Sequence, residues 1–128
     1  MTLQEASTLY SVAGLDPACL KDQEQAFQRC LDFLSTVEKT KQENKRHMSY
    51  GLKHILEDPS RLCPEWTGGD SSNPYGGYVY EGTLILAALA SGFAMKQRGK
   101  HMKVTFNMSE RSLRNRCKEY LEKHAKAR

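Results

Sequence analysis

Leu20, Phe27, Cys30, Leu31, Leu34 and Val37 recur at spacings of three, four and seven residues. That is the period of a helix with one buried face, and no strand can present those side chains together. Asp16-Pro17 supplies a start signal, with Asp as N-cap and Pro at the first helical position, where its missing N–H costs nothing. The spacing predicts a long helix from Pro17 to about Lys41. Residues 39–47 (KTKQENKRH) carry no apolar anchor, so there the helix either continues exposed or breaks.

The other segments fit around that helix. Leu3, Ala6, Tyr10 and Ala13 form a stripe over residues 3–13 that Gly14 ends. Ser49 is placed to cap a helix with Leu52, Ile55 and Leu56 on one face, stopping at Asp58-Pro59 because proline disfavours the helical conformation in the residue before it. Residues 59–77 hold three prolines and four glycines and read as one long irregular loop, less ordered than its flanks. Leu84, Ile85, Ala88 and Leu89 mark a short helix closed by Gly92, with small Ala87, Ala88 and Ala90 allowing close approach of a neighbour. Phe93–Lys96 and Lys103–Phe106 alternate as strands around an Arg98-Gly99-Lys100 turn. Ser109 caps a last helix with Leu113, Cys117, Tyr120, Leu121 and His124 in register. The expected fold is one mainly α domain over 1–128 with a small β-hairpin, distantly winged-helix-like. Its core candidates are Leu31, Leu34, Leu84, Leu89, Leu113 and Leu121, with the long helix packed on 84–91 and 110–124.

A chain of 128 residues can bury such a core without metal or disulfide help. The longest apolar run, Leu84–Ala90, is too short to span a bilayer, and the N-terminus shows no signal-peptide pattern, so cytoplasm is the expected compartment and no membrane partner is expected. Cys19, Cys30, Cys63 and Cys117 form no CxxC pair. Buried free thiols are expected at Cys30 and Cys117, and neither a metal nor a cofactor is expected.

Charge is distributed unevenly. Residues 96–128 hold eleven basic side chains against three acidic ones, a net +8, whereas the whole chain is +4. The remaining 95 residues are therefore net −4. A basic end of this kind points to an anionic partner, DNA or RNA first. Arg98 and Lys100 would project from the hairpin tip, and Arg111, Arg114 and Lys118 share a face of the last helix, together a phosphate clamp. A solvated basic face and an acidic protein partner are the competing readings. Trp66, Tyr75, Tyr78 and Tyr80 could anchor a protein interface or stack on bases; Tyr78 and Tyr80 should point the same way in an extended segment, with Val79 opposite. His54 and Glu57, three apart, could form an acid–base pair, although such pairs are common on ordinary helices. Gly68-Gly69 and Gly76-Gly77 lack the phosphate-loop pattern. No catalytic motif emerges, and a non-enzymatic protein is expected.

YGLKH at 50–54 with Glu57, YVYEGTLILAALASGF from Tyr78 and FNMSERS from Phe106 resemble, over residues 49–112, small uncharacterised proteins encoded by phages, plasmids and other mobile elements. The resemblance transfers no catalytic residue. It implies either a nucleic-acid-binding accessory factor or a protein-interaction module that inhibits a host defence complex, for instance an anti-CRISPR protein; a purely structural role is a third alternative.

Overall fold

The structure, a computed structural model, describes residues 1–12, 15–66, 78–97 and 103–124. Its elements are α1 (Leu3–Leu9), a 3-10 turn over Pro17–Leu20, α2 (Glu24–Leu34), α3 (Ser49–Glu57), a second 3-10 turn over Pro59–Leu62, α4 (Glu81–Ala90), strands β1 (Met95–Gln97) and β2 (Val104–Phe106), and α5 (Glu110–His124). It is mainly helical with one small antiparallel hairpin, as expected. Among the described residues no helix is long and apolar enough to cross a membrane.

The core is organised around α4. Every residue from Gly82 to Ala88 is buried, and α1, α2 and α3 all pack on this helix. A helix apolar on all sides is stable only when surrounded. Gly82 matters to that packing: a Cβ there would lie 3.2 Å from methyls of Leu15 and Leu20, so the turn before α2 approaches α4 over a missing side chain. Gly92, at φ +90°, ends α4 in a conformation that side-chain-bearing residues rarely adopt. Because α4 is enclosed, it has no free face to enter a nucleic-acid groove.

The expected helix from Pro17 to Lys41 is three pieces. Asp22 sits at φ +65°, a left-handed conformation that no α-helix continues through, so the Asp16-capped turn stops and α2 begins afresh after Gln23. At the other end α2 stops at Leu34. Residues 37–44 lie beside β2 and the residues after it: Lys39 forms an isolated antiparallel bridge with Met108, Thr40 N–H donates to the Asn107 carbonyl at 2.9 Å, and after a bend at 41–42 Asn44 N–H donates to the Phe106 carbonyl at 2.7 Å. An open strand edge offers a polar segment backbone partners that an exposed helix end cannot match. We call residues 37–47 the connector.

Other expectations shift by smaller amounts. α1 ends at Leu9, four residues early. Met48, not Ser49, caps α3, and the Ser49 hydroxyl instead donates to Glu81 Oε2 at 2.5 Å. Phe27, Cys30, Phe33 and Leu34 form the buried face of α2, leaving Leu31 at its margin; Leu31 and Leu89 are half-buried, whereas Leu34, Leu84, Leu113 and Leu121 are fully inside. Ser109 does cap α5, accepting from Ser112 N–H at 3.2 Å. The hairpin pairs Met95 with Phe106 and Gln97 with Val104.

The first third of the expected loop is a packed element. Asp58 caps the 3-10 turn, Pro59 and Cys63 are buried, and Trp66 lies half-buried against the core. Residues 67–77, including Tyr75 and both glycine pairs, lie outside the described residues, as do Arg98, Gly99 and Lys100. Cys30, Cys63 and Cys117 are buried free thiols, and burial pushes the Cys30 thiol up to about 12.

Candidate nucleic-acid interface

Arg111, Arg114 and Lys118 are all exposed on α5, as their spacing predicts. Arg114 is held by Glu110, four residues earlier, at 3.1 Å. The same Glu110 carboxylate accepts from Asn44 Nδ2 at 3.0 Å and contacts His47 Nε2 at 2.8 Å. Burial would raise its pKa; the hydrogen bonds from Asn44 and Arg114 and the proximity of His47 outweigh that and hold it below the ordinary carboxylate value. Glu110 therefore fastens the connector to the start of α5.

A second carboxylate fastens the connector to the hairpin. Glu43 accepts a short hydrogen bond from the buried Thr105 hydroxyl and lies 3.7 Å from Lys96 Nζ. Between connector and hairpin runs a groove of about 460 Å³, lined among others by Lys41, Lys45, Lys96 and Asn107. Lys39 lies over the Phe93 ring at 4.8 Å. The connector and the C-terminal basic region are distant in sequence, yet they meet on one face. Arg111 also lines a polar groove of about 420 Å³ that contains Glu38 and Glu119, so positive charge is interrupted there.

Arg116 is basic but not part of this face. It is buried, donating from Nε to the Phe33 carbonyl at 2.9 Å and pairing with Asp32 and Glu119 at 3.4 and 3.0 Å. A cation on the last carbonyls of α2 satisfies acceptors that have no partner within that helix.

A different cluster sits at α3 and the residues before α4. Tyr78 and Tyr80 are exposed, with their rings edge to face at 5.2 Å, and Val79 between them is fully buried, the alternation read from sequence. Gln23 fixes this segment: its Nε2 donates to the Tyr78 carbonyl at 2.9 Å, while its Oε1 accepts from Tyr80 N–H at 3.0 Å and from the Thr83 hydroxyl at 2.8 Å. Glu57 Oε2 accepts from Val79 N–H at 3.0 Å. Its Oε1 lies 3.3 Å from both Lys53 Nζ and His54 Nδ1. His54 and Glu57 are thus neighbours as expected, but the carboxylate serves as a strut joining α3 to the α4 entry. Lys53 is 3 % exposed, with Nζ 3.9 Å from the Tyr78 ring centre and 5.5 Å from that of Tyr50. Burial alone would lower its pKa; hydrogen bonding to the Tyr78 and Glu57 side chains holds it above the ordinary lysine value.

Sequence reasoning found the α5 row and the Tyr78/Tyr80 pair. It missed Lys41, Lys45 and Lys96 as groove residues, and Tyr50, Lys53 and Gln23 as parts of the aromatic cluster. KTKQENKRH is visibly basic; what it lacked was any local signal of where it lies. Among the described residues, no group of three or more histidine, cysteine or carboxylate side chains is disposed to hold a metal ion. No protein-family model, curated protein or solved structure matches this chain.

Proposed function

We propose that this protein is a non-catalytic nucleic-acid-binding protein that grips the phosphate backbone along the face shared by the hairpin, the connector and α5. The observation that carries this reading is the groove in which Lys41 and Lys45 meet Lys96, with Glu110 joining the connector to Arg114. Two basic segments from distant parts of the chain converge there, and the carboxylates between them, Glu43 beside Lys96 and Glu110 beside Arg114, offset only part of that charge. Flexible lysines on a groove recognise phosphates as point charges and carry no base sequence, so the expected binding is sequence-independent. The resemblance to mobile-element proteins suits an accessory role of this kind.

The test is a titration of labelled DNA and RNA at two salt concentrations. Affinity should fall steeply with salt, because each neutralised phosphate releases counterions, with a slope near −0.9 per contact on duplex DNA. Replacing Lys41, Lys45 and Lys96 together by alanine should flatten that slope by about two to three units. No binding to either polymer at low salt would reject the reading. In that event a lysate pull-down that retains a protein partner after nuclease treatment would favour the inhibitory, anti-CRISPR-like alternative.

A further inference from the structure

We propose that Tyr50, Tyr78 and Tyr80 form a stacking platform for unpaired bases, so that the nucleic acid this protein takes up is single-stranded. The inference rests on the phosphate-binding reading above and adds to it a chemically different subsite. Tyr50 and Tyr78 are 51 % and 59 % exposed, and their backbones are the opposite of loose. The Tyr78–Tyr80 segment is pinned by Gln23 on both sides and by Glu57 at Val79. Tyr50 lies in the first turn of α3, its ring against His54 at 4.5 Å between centres. The ordering of these groups is therefore met by the fold, and little entropy remains to be lost when a planar ligand stacks on them.

Lys53, paired with Glu57 at 3.3 Å, is the cation of the cluster. Its ammonium lies 3.9 Å from the Tyr78 ring centre and 5.5 Å from that of Tyr50, and Tyr78 as a residue is exposed. A base stacked on Tyr78 would meet a ring backed by a cation. Along the chain the platform follows directly on the connector. Arg46 and Tyr50 are four residues apart, so their Cα atoms lie within about 14 Å, and Lys45, beside Arg46, lines the groove with Lys96. Aromatic faces beside a basic track are the pattern of single-strand sites, which span about 4–16 nucleotides. Bases inside a duplex are stacked on one another and cannot offer their faces to a side chain.

The experiment compares a labelled 20-nucleotide oligo-dT with a 20-base-pair duplex of mixed sequence, titrated by anisotropy against the wild-type protein and the Tyr50→Ala, Tyr78→Ala, Tyr50→Phe and Tyr78→Phe variants. Wild type should prefer the single strand. Each alanine variant should lose about 5- to 150-fold in single-strand affinity, with the salt slope unchanged and duplex binding unaffected. The phenylalanine variants should stay within about twofold of wild type, since phenylalanine keeps the stacking face. If both probes bind but the alanine variants hold the single strand as wild type does, or the duplex binds as tightly as the single strand, the platform is overturned and the phosphate face stands. If neither probe binds at low salt, the phosphate-binding reading fails and takes the platform with it. Losses in Tyr78→Phe equal to those in Tyr78→Ala would assign the effect to the phenol hydroxyl and overturn stacking.

Discussion

Replacing Gln23 by alanine should be among the more damaging single polar substitutions in this protein. Gln23 is 7 % exposed and makes three hydrogen bonds to one segment 55–60 residues away. Truncation leaves the Tyr78 carbonyl, the Tyr80 N–H and the Thr83 hydroxyl without these partners. At about 0.5–1.5 kcal/mol per bond the loss is about 1.5–4.5 kcal/mol, centred near 3. Unfolding entropy of about 2.1 cal/mol/K per residue gives a chain of this length about 0.27 kcal/mol/K, so Tm should fall by about 10 °C. The assay is urea unfolding together with a thermal scan, with Thr83→Val as the comparison because it removes only one of the three bonds and should cost about 1 kcal/mol. Gln23→Glu separates donor from acceptor. Ionised, it can accept from Tyr80 and Thr83 but cannot donate to the Tyr78 carbonyl; protonated, it can. Burial raises its folded pKa, so relative to wild type the variant should be closest at acid pH and lose ground as pH rises. A Gln23→Ala variant that costs no more than Thr83→Val would refute the assignment of Gln23 as the pin of this segment.

Arg116→Met should destabilise by about 1.5–3 kcal/mol, because a charged donor to the last carbonyls of α2 is lost, and should leave nucleic-acid affinity unchanged, which separates this arginine from Arg114 in one titration. The Glu110 carboxyl is held below its ordinary value of 4.5 in the folded state, so its contribution is present above that value and disappears as pH falls through the folded one. Glu110→Gln should therefore lower Tm at pH 7, and the difference from wild type should shrink as pH falls below 4.5; a difference that stays constant on acidification would show that the depressed carboxyl is not the cause. Phe27→Ala, at a fully buried site, should cost about 3–5 kcal/mol. Half-buried Leu31→Ala should fall below the 2–5 kcal/mol expected of a buried leucine, and denaturant midpoints for the two variants check the register of α2.

The local part of this protein is legible in its residues alone. The stripes in α3, α4 and α5, the Ser109 cap, the Gly92 stop and the alternation of Tyr78, Val79 and Tyr80 all follow from side-chain period and backbone preference within a few residues. The same locality made Arg111, Arg114 and Lys118 legible as one row, because three- and four-residue spacing on a helix admits no other arrangement. Tertiary structure decided where the polar segments go. The apolar period over 20–37 is compatible with one unbroken helix. The break at Asp22 and Gln23 is stabilised by bonds from Gln23 to a segment nearly sixty residues on, which no window around position 23 contains. KTKQENKRH lies against β2 and the residues after it through the Lys39–Met108 bridge and the Thr40 and Asn44 backbone bonds, and only that pairing set Lys41 and Lys45 beside Lys96. Arg116 and Lys53 look in sequence like any other surface cations. One is buried by the carbonyls at the end of α2 and the other by two tyrosines and Glu57. A buried charge is stable only where the fold supplies several partners at once, and those partners come from segments that meet only when the chain has folded.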